Sequence, residues 1–443
     1  MTADGADAQG TTVVRLVFVA LLLDLLAFTM PLPLFPRLID SFVQQEALAK
    51  PSSHTLLSRT LSFVEQARRF LFAHSAIPIS TRGDHAWDLT LLGGLLGVLF
   101  SVCQALSSPQ IGKLADKFGR RRVLLVSMVG NVISALLWLV SGNFTVYALS
   151  RLVGGLSEGN VQLSIAITTD VTKPEHRARS LALVGAAFSV AFVFGPPLGA
   201  FFAAKTFGTG QNVRVLGHDL KLNVYAVPAA VTLALLMVET TLLALRLPET
   251  SSWKQSHTIK TEKKTSLQAK ASNQKVAARL VRLGHIHFAF LLLFSGAEFT
   301  LTFLTFTLFN YSNLQNGRLL GYIGLVSSLL QGGYVRPDTL PKVVLYAAAS
   351  MLAYTSATVV NSLTSLASLT IDCGDSSTDK ASKLALFRSK GQWGRALGPL
   401  VATTIFWVWG PGVSYAFSGI GTIVLAFRFS KLARQPIEKS KSA

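Results

Sequence analysis

Two long apolar runs, residues 89–111 and 123–142, are separated only by Gly112-Lys-Leu-Ala-Asp116-Lys-Phe-Gly119-Arg120-Arg121-Arg122. Each run reaches the ~18–20 apolar residues that carry a helix across a bilayer. Hydrocarbon offers no partner for a free backbone N–H or C=O, so such runs are helical. The charged stretch between them must reverse the chain at the membrane surface. Gly112 and Gly119 are expected to supply the backbone freedom for that turn. Five cations stand there against the single carboxylate of Asp116, which marks this side as cytoplasmic.

Composition extends the reading to the whole chain. Half of the 443 residues are hydrophobic and only 14% are charged, so the length is spent on membrane spans rather than on soluble domains. The formal charge of +19 raises nucleic acid as a partner. No basic patch is interleaved with aromatics, however, and the cations sit in loops beside apolar runs. No nucleic-acid partner is expected. Cys103 and Cys373, like His54, His74 and His85, make neither a metal-ligand spacing nor a disulfide framework. No nucleophile–base arrangement and no phosphate-binding loop is present, so the chain reads as neither an enzyme nor a cofactor or metal protein. Residues 1–11 lack a basic segment, and the first apolar run is expected to act as an uncleaved signal anchor.

Ionisable residues inside the spans are the candidate site. A charge in the bilayer core is costly and must face a cavity or a partner. The first span (12–36) carries Asp24, followed by Pro31, Pro33 and Pro36. The fourth carries Arg151, Gly154, Gly155, Glu158 and Gly159, and Glu158 falls two helical turns from Arg151, on one face of a continuous helix. Arg151 cannot shed its proton, so it needs a carboxylate, a carbonyl or an anionic ligand. A static ion pair with Glu158 or Asp24 and a coupling role are both open. The seventh span (284–311) carries Glu298 and the eleventh (391–409) Arg395. The fifth (178–204) holds Gly195-Pro196-Pro197-Leu-Gly199-Ala200, where proline frees a carbonyl and glycine permits close contact. Glu239 lies in the sixth span (222–246), and Asn143-Phe-Thr145 is a glycosylation pattern in a loop too short to favour its use.

Residues 37–88 read as a long outer loop. Within it Leu57, Leu61, Val64, Phe70 and Leu71 at near-helical spacing imply a surface helix that caps the protein or lies on the membrane. The expected organisation is a six-span half over 1–246, a basic cytoplasmic linker over 247–283, a five-span half over 284–430 and a basic cytoplasmic tail over 431–443. The linker's cations suit anionic lipid.

Gly112-x-Leu-x-Asp116-x-x-Gly119-Arg120-Arg121 resembles the loop between spans 2 and 3 of the major facilitator superfamily. The Arg151 region, the Gly-Pro-x-x-Gly segment of span 5 and Leu247-Pro248-Glu249-Thr250 after span 6 are similar to that family's other motifs. Leu23-Asp24 followed by Met30-Pro31 resembles span 1 of tetracycline and drug:proton antiporters. The resemblance implies an all-α membrane protein of two six-helix-type halves. It also implies secondary transport: proton-linked export of amphipathic organic anions, drug-like molecules among them. In that reading Asp24, Glu158 and Glu298 exchange protons, Arg151 and Arg395 attract the anion, Asp116 and Arg120 latch the cytoplasmic side, and Gly195, Pro196 and Gly199 bend span 5. The plasma membrane is the expected location, with internal membranes such as the nuclear envelope left open.

One departure stands out. Leu330-Gln331-Gly332-Gly333 should open a second signature loop, but after Arg336 one apolar run from Val343 to Ile371 suffices for a single span. Eleven spans are therefore expected, with span 9 absent. An odd count puts the two termini on opposite sides, against the basic tail. A transport-incompetent scaffold or receptor, or a defective isoform, is the alternative this gap raises.

Overall fold

The computed structural model describes residues 3–48, 55–72, 84–173, 176–205, 212–215, 218–250, 266–332, 359–360, 362–371 and 380–433. The charged turn at 112–122 is tighter than expected. Helix α4 (Asp84–Phe118) runs unbroken through Gly112, and α5 (Arg120–Leu139) starts two residues after α4 ends. Gly119 alone reverses the chain, at φ +98°, a backbone region that favours glycine. Gly112 serves a different end. A Cβ there would lie 2.6 Å from the Ala385 Cβ and 3.0 Å from the Ala381 carbonyl oxygen. Its missing side chain lets a helix of the second half approach, and the expected loop role is corrected to a packing role.

The first half comprises α1 (Ala3–Thr29), a 3₁₀ turn (Leu32–Leu34), α2 (Phe35–Leu48), α3 (Leu56–Phe72), α4 and α5. It continues with α6 (Phe144–Ser157), α7 (Asn160–Val171), α8 (Arg177–Ala203) and α9 (Ala226–Arg246). The second half comprises α10 (Ser266–Phe309), α11 (Asn313–Gly332), α12 (Ser362–Ile371), α13 (Lys380–Trp409) and α14 (Pro411–Ala433). A small antiparallel hairpin, β1 (Asn212–Val215) with β2 (His218–Lys221), interrupts the helical pattern.

Three boundaries differ from expectation for local reasons. The first span breaks after Thr29, where Pro31 and Pro33 cannot donate to a helical ladder, and the chain re-enters a helix at Phe35. The fourth span is two helices, parted at Glu158-Gly159, where Glu158 takes φ −73°, ψ +87°. Glu158 thus does not continue the helical face of Arg151. Within the expected outer loop α2 is an additional helix, whereas α3 is the helix that the apolar spacing implied; it seats Leu57 and Val64, with Phe70 turned outward. Asn143 serves as the N-cap of α6, its Oδ1 accepting from the Val146 N–H at 2.9 Å.

Seven helical segments among the described residues are long and apolar enough to cross a membrane. Large apolar side chains point outward along them, including Val126, Leu245, Ile420 and Phe427, as a lipid-facing surface requires. The expected gap at span 9 falls on residues 333–358, outside the described residues, as do residues 251–265 of the linker and 434–443 of the tail.

Glycine stripes set the packing. A Cβ on Gly199 would sit 2.0 Å from the Met30 carbonyl oxygen, and one on Gly195 1.9 Å from Thr29 Oγ1, so α8 lies directly on α1. On its other side α8 meets α11, where Gly317 and Gly321 approach the Pro196 and Val193 carbonyls at 3.0 Å each from a Cβ position. The second half repeats the scheme. Gly394 and Gly398 of α13 lie against the Phe288 and Leu292 carbonyls of α10, while α13 packs across the halves on α4. Each half thus offers one glycine-rich helix to the other, the internal repetition expected of transporter folds.

Candidate functional site

On the basic side a charge network closes the gap between the halves. Arg120 is 1% exposed. Its Nη1 donates to Asp116 Oδ1 at 2.8 Å and its Nε to Asp170 Oδ2 at 3.0 Å. Asp116 Oδ2 also accepts from the Ser382 backbone N–H at 2.9 Å, on the first turn of α13. The Glu249 carboxylate accepts from the Arg120 and Arg121 backbone N–H groups at 2.8 and 3.2 Å. It thereby caps α5 from a distant part of the chain, and it fills the space a Cβ on Gly119 would need. Arg121 reaches the Ala244 carbonyl at 2.6 Å. Spans 2, 3, 4 and 6 and the start of α13 are tied in one cluster. Replacing Glu249 by alanine should cost about 0.5–2 kcal/mol, as lost N-caps do, seen as a lower thermal midpoint of the purified protein. An unchanged midpoint would show that water caps α5 equally well.

Asp116 and Arg120 are marked by their motif, whereas nothing local gives Asp170 or Glu249 a role. Both are carboxylates at span ends, where solvation is the ordinary expectation. Only the fold brings them onto Arg120 and its backbone.

Two adjoining cavities lie deeper in the bundle. The smaller, about 60 Å³, is lined by Asp24, Asn131, Trp138, Arg151, Glu158 and Thr232 among others. The larger, about 190 Å³, has an aromatic and apolar lining that includes Phe28, Phe100 and Phe299, together with Arg151, Glu298 and Arg395. Five of the six ionisable residues noted in the spans, all but Glu239, therefore converge here, and Arg151 borders both spaces. Glycines make this possible. A Cβ on Gly155 would lie 2.5 Å from the Phe100 carbonyl oxygen, and one on Gly154 2.7 Å from Ser134 Oγ, so α6 sits close against α4 and α5.

The static ion pair left open by the sequence does not form. Among the described residues no salt bridge joins Arg151 to Asp24 or Glu158. The guanidinium instead lies over the Tyr147 and Phe100 rings, 5.3 and 6.0 Å from their centroids, a cation–π arrangement. Each acid is met by a carboxamide: Asn160 Nδ2 donates to Asp24 Oδ1 at 3.0 Å and Asn131 Nδ2 to Glu158 Oε2 at 3.2 Å. Both amide oxygens are buried without a hydrogen-bond partner. An amide offers a donor and an acceptor together, so it can hold a carboxyl in either protonation state, whereas a guanidinium would favour the anion. Neither Asn131 nor Asn160 carries a sequence signal beyond a polar side chain within an apolar span.

A bundle of apolar helices in two repeated halves, with charged groups turned to central cavities, is the architecture of a membrane transporter. The chain matches the Major Facilitator Superfamily model over residues 17–376, and it belongs to that family. It is 30% identical to mouse major facilitator superfamily domain-containing protein 10, over 98% of this chain and 95% of the mouse one. It is 31% identical to the human counterpart, over 97% and 95%. The crystal structure of the human organic anion transporter MFSD10 (TETRAN) is similar, with a TM-score of 0.69 and 28% identity over 94% of this chain and 99% of that one. A shorter likeness, 33% identity over 26% of this chain and 31% of the other, is to the quinolone resistance protein NorA of Staphylococcus aureus. A D-xylose–proton symporter shares the fold, with a TM-score of 0.57 at 13% identity over 96% of this chain and 99% of that one.

Proposed function

We propose that this transporter exports amphipathic organic anions in exchange for protons. The observation that carries the reading is the division of labour around Arg151. On one side lies an aromatic cavity with two fixed cations, Arg151 and Arg395, suited to an apolar body with a negative group. On the other lie Asp24 and Glu158, held by amides that tolerate both protonation states. The likeness to human MFSD10, described as an organic anion transporter, along 99% of that chain supports transport over a scaffold or receptor role.

In this scheme Arg151 binds the anion, and its release is linked to proton uptake at Asp24 or Glu158 through their shared cavity. Arg395 and Glu298 shape the opposite wall, and membrane lipid meets the basic linker. The Asp116–Arg120 cluster is the latch that must open for the basic side to admit substrate. Gly195, Pro196 and Gly199 let α8 slide or bend between α1 and α11 as it does.

Uptake of fluorescein, an amphipathic organic anion, into proteoliposomes tests this. An imposed pH gradient should accelerate uptake. Arg151→Ala should reduce it by roughly tenfold or more, since hydrogen bonds to charged groups contribute about 1.5–3 kcal/mol. Uptake indifferent to both the gradient and the substitution would refute the proposal.

A further inference from the structure

Beside the smaller cavity lies a third acid that the scheme above leaves unused. Along α9 the inward face is Ala229, Thr232, Leu236, Glu239 and Leu243, all buried. Thr232 and Leu236 line the cavity that holds Asp24 and Glu158, and Glu239 follows one turn further along that face. It is 2% exposed, and its Oε2 is buried with no hydrogen-bond partner. The charged groups lining that cavity are Asp24 of α1, Arg151 of α6 and Glu158 just after α6, and Arg395 of α13 lines the adjoining one. The neighbours along the face are apolar, so packing alone would be served by leucine or methionine.

We infer that Glu239 is the proton-holding member of a three-carboxyl cluster with Asp24 and Glu158. An ionised Glu239 would face two like charges with one oxygen unmet by any donor, a cost that grows steeply away from water. A neutral Glu239 leaves a far smaller unmet demand. Asp24 and Glu158, by contrast, each have an amide donor that can stabilise the anion. Protonation at Glu239 therefore relieves the cluster while the other two stay free to exchange. A proton passing from Glu239 to Glu158 or Asp24 leaves the cluster's charge unchanged, so the transfer needs no counter-ion. The compartments on either side supply and take up the proton. This deepens, and for its role in exchange rests on, the proton-linked reading above.

The full-length protein in lipid nanodiscs, without substrate, decides the assignment by infrared spectroscopy of the protonated-carboxyl C=O stretch at neutral pH. The band should be present in the native protein, persist in Asp24→Asn and Glu158→Gln, vanish in Glu239→Gln and return at a shifted frequency in Glu239→Asp. A band that survives Glu239→Gln, or its absence from the native protein, overturns the inference. Should Glu239→Gln not accumulate, Glu239→Asp decides alone: a shifted band supports the inference and an unshifted one overturns it. Fluorescein uptake separates the two readings. Native flux that ignores the pH gradient refutes proton exchange, while the infrared result still decides where the cluster holds its proton.

Discussion

Replacing Arg120 by alanine is expected to destabilise the protein by about 3–5 kcal/mol, the cost of stranding buried charges by removing their partner. The substitution leaves Asp116 and Asp170 facing each other across the space the guanidinium filled. Arg120 and the Asp170 side chain are each 1% exposed, so little water can compensate. The loss should appear as a markedly lower thermal midpoint and as faster labelling of a cysteine placed at Ser382, whose backbone N–H is bound to Asp116. Arg120→Lys should recover only part, since an ammonium lacks the planar fork that spans both carboxylates. A thermal midpoint and labelling rate unchanged in Arg120→Ala would mean that the halves are held closed by apolar packing alone.

The second large effect is expected at Gly199. A methyl there would stand 2.0 Å from the Met30 carbonyl oxygen and 2.8 Å from its carbon, and backbone atoms cannot rotate away. Overpacking of this kind costs about 1–3 kcal/mol and occasionally more, with the upper end expected because two helix backbones must part. Gly419→Ala is the matched control. Nothing lies within 4 Å of a Cβ at that position in α14, and a helix-interior glycine replaced by alanine gains up to about 1 kcal/mol. Comparing the thermal midpoints of the two variants checks the argument. Equal midpoints would show that α1 and α8 can separate at no cost.

The sequence carried the candidate site unevenly. Asp24, Arg151, Glu158, Glu298 and Arg395 were legible because the bilayer penalises a charge that has no task, so each ionisable residue in a span draws attention. Their partners were not. Asn131 and Asn160 are cheap enough in a buried helix to pass unnoticed, and pairing depends on how α1, α5 and α7 are rotated against one another. Placing Arg151 and Glu158 on one helical face assumed an unbroken helix. The helix ends at Ser157, one residue before the acid, and Gly159 beyond it is pressed against Ile111 of α4.

Bilayer physics explains what the sequence alone determined: helices, their repeated halves, the basic side and the family they belong to. These follow from span length, charge placement and local motif, each readable within a few dozen residues. Tertiary structure alone decided which groups meet. It turned Gly112 from a hinge into a contact, set Glu249 on the first turn of α5, and placed Glu239 one turn from the cavity of Asp24 and Glu158. Such pairings join residues some eighty or more positions apart through helix rotation and glycine-mediated approach, and no local pattern encodes either.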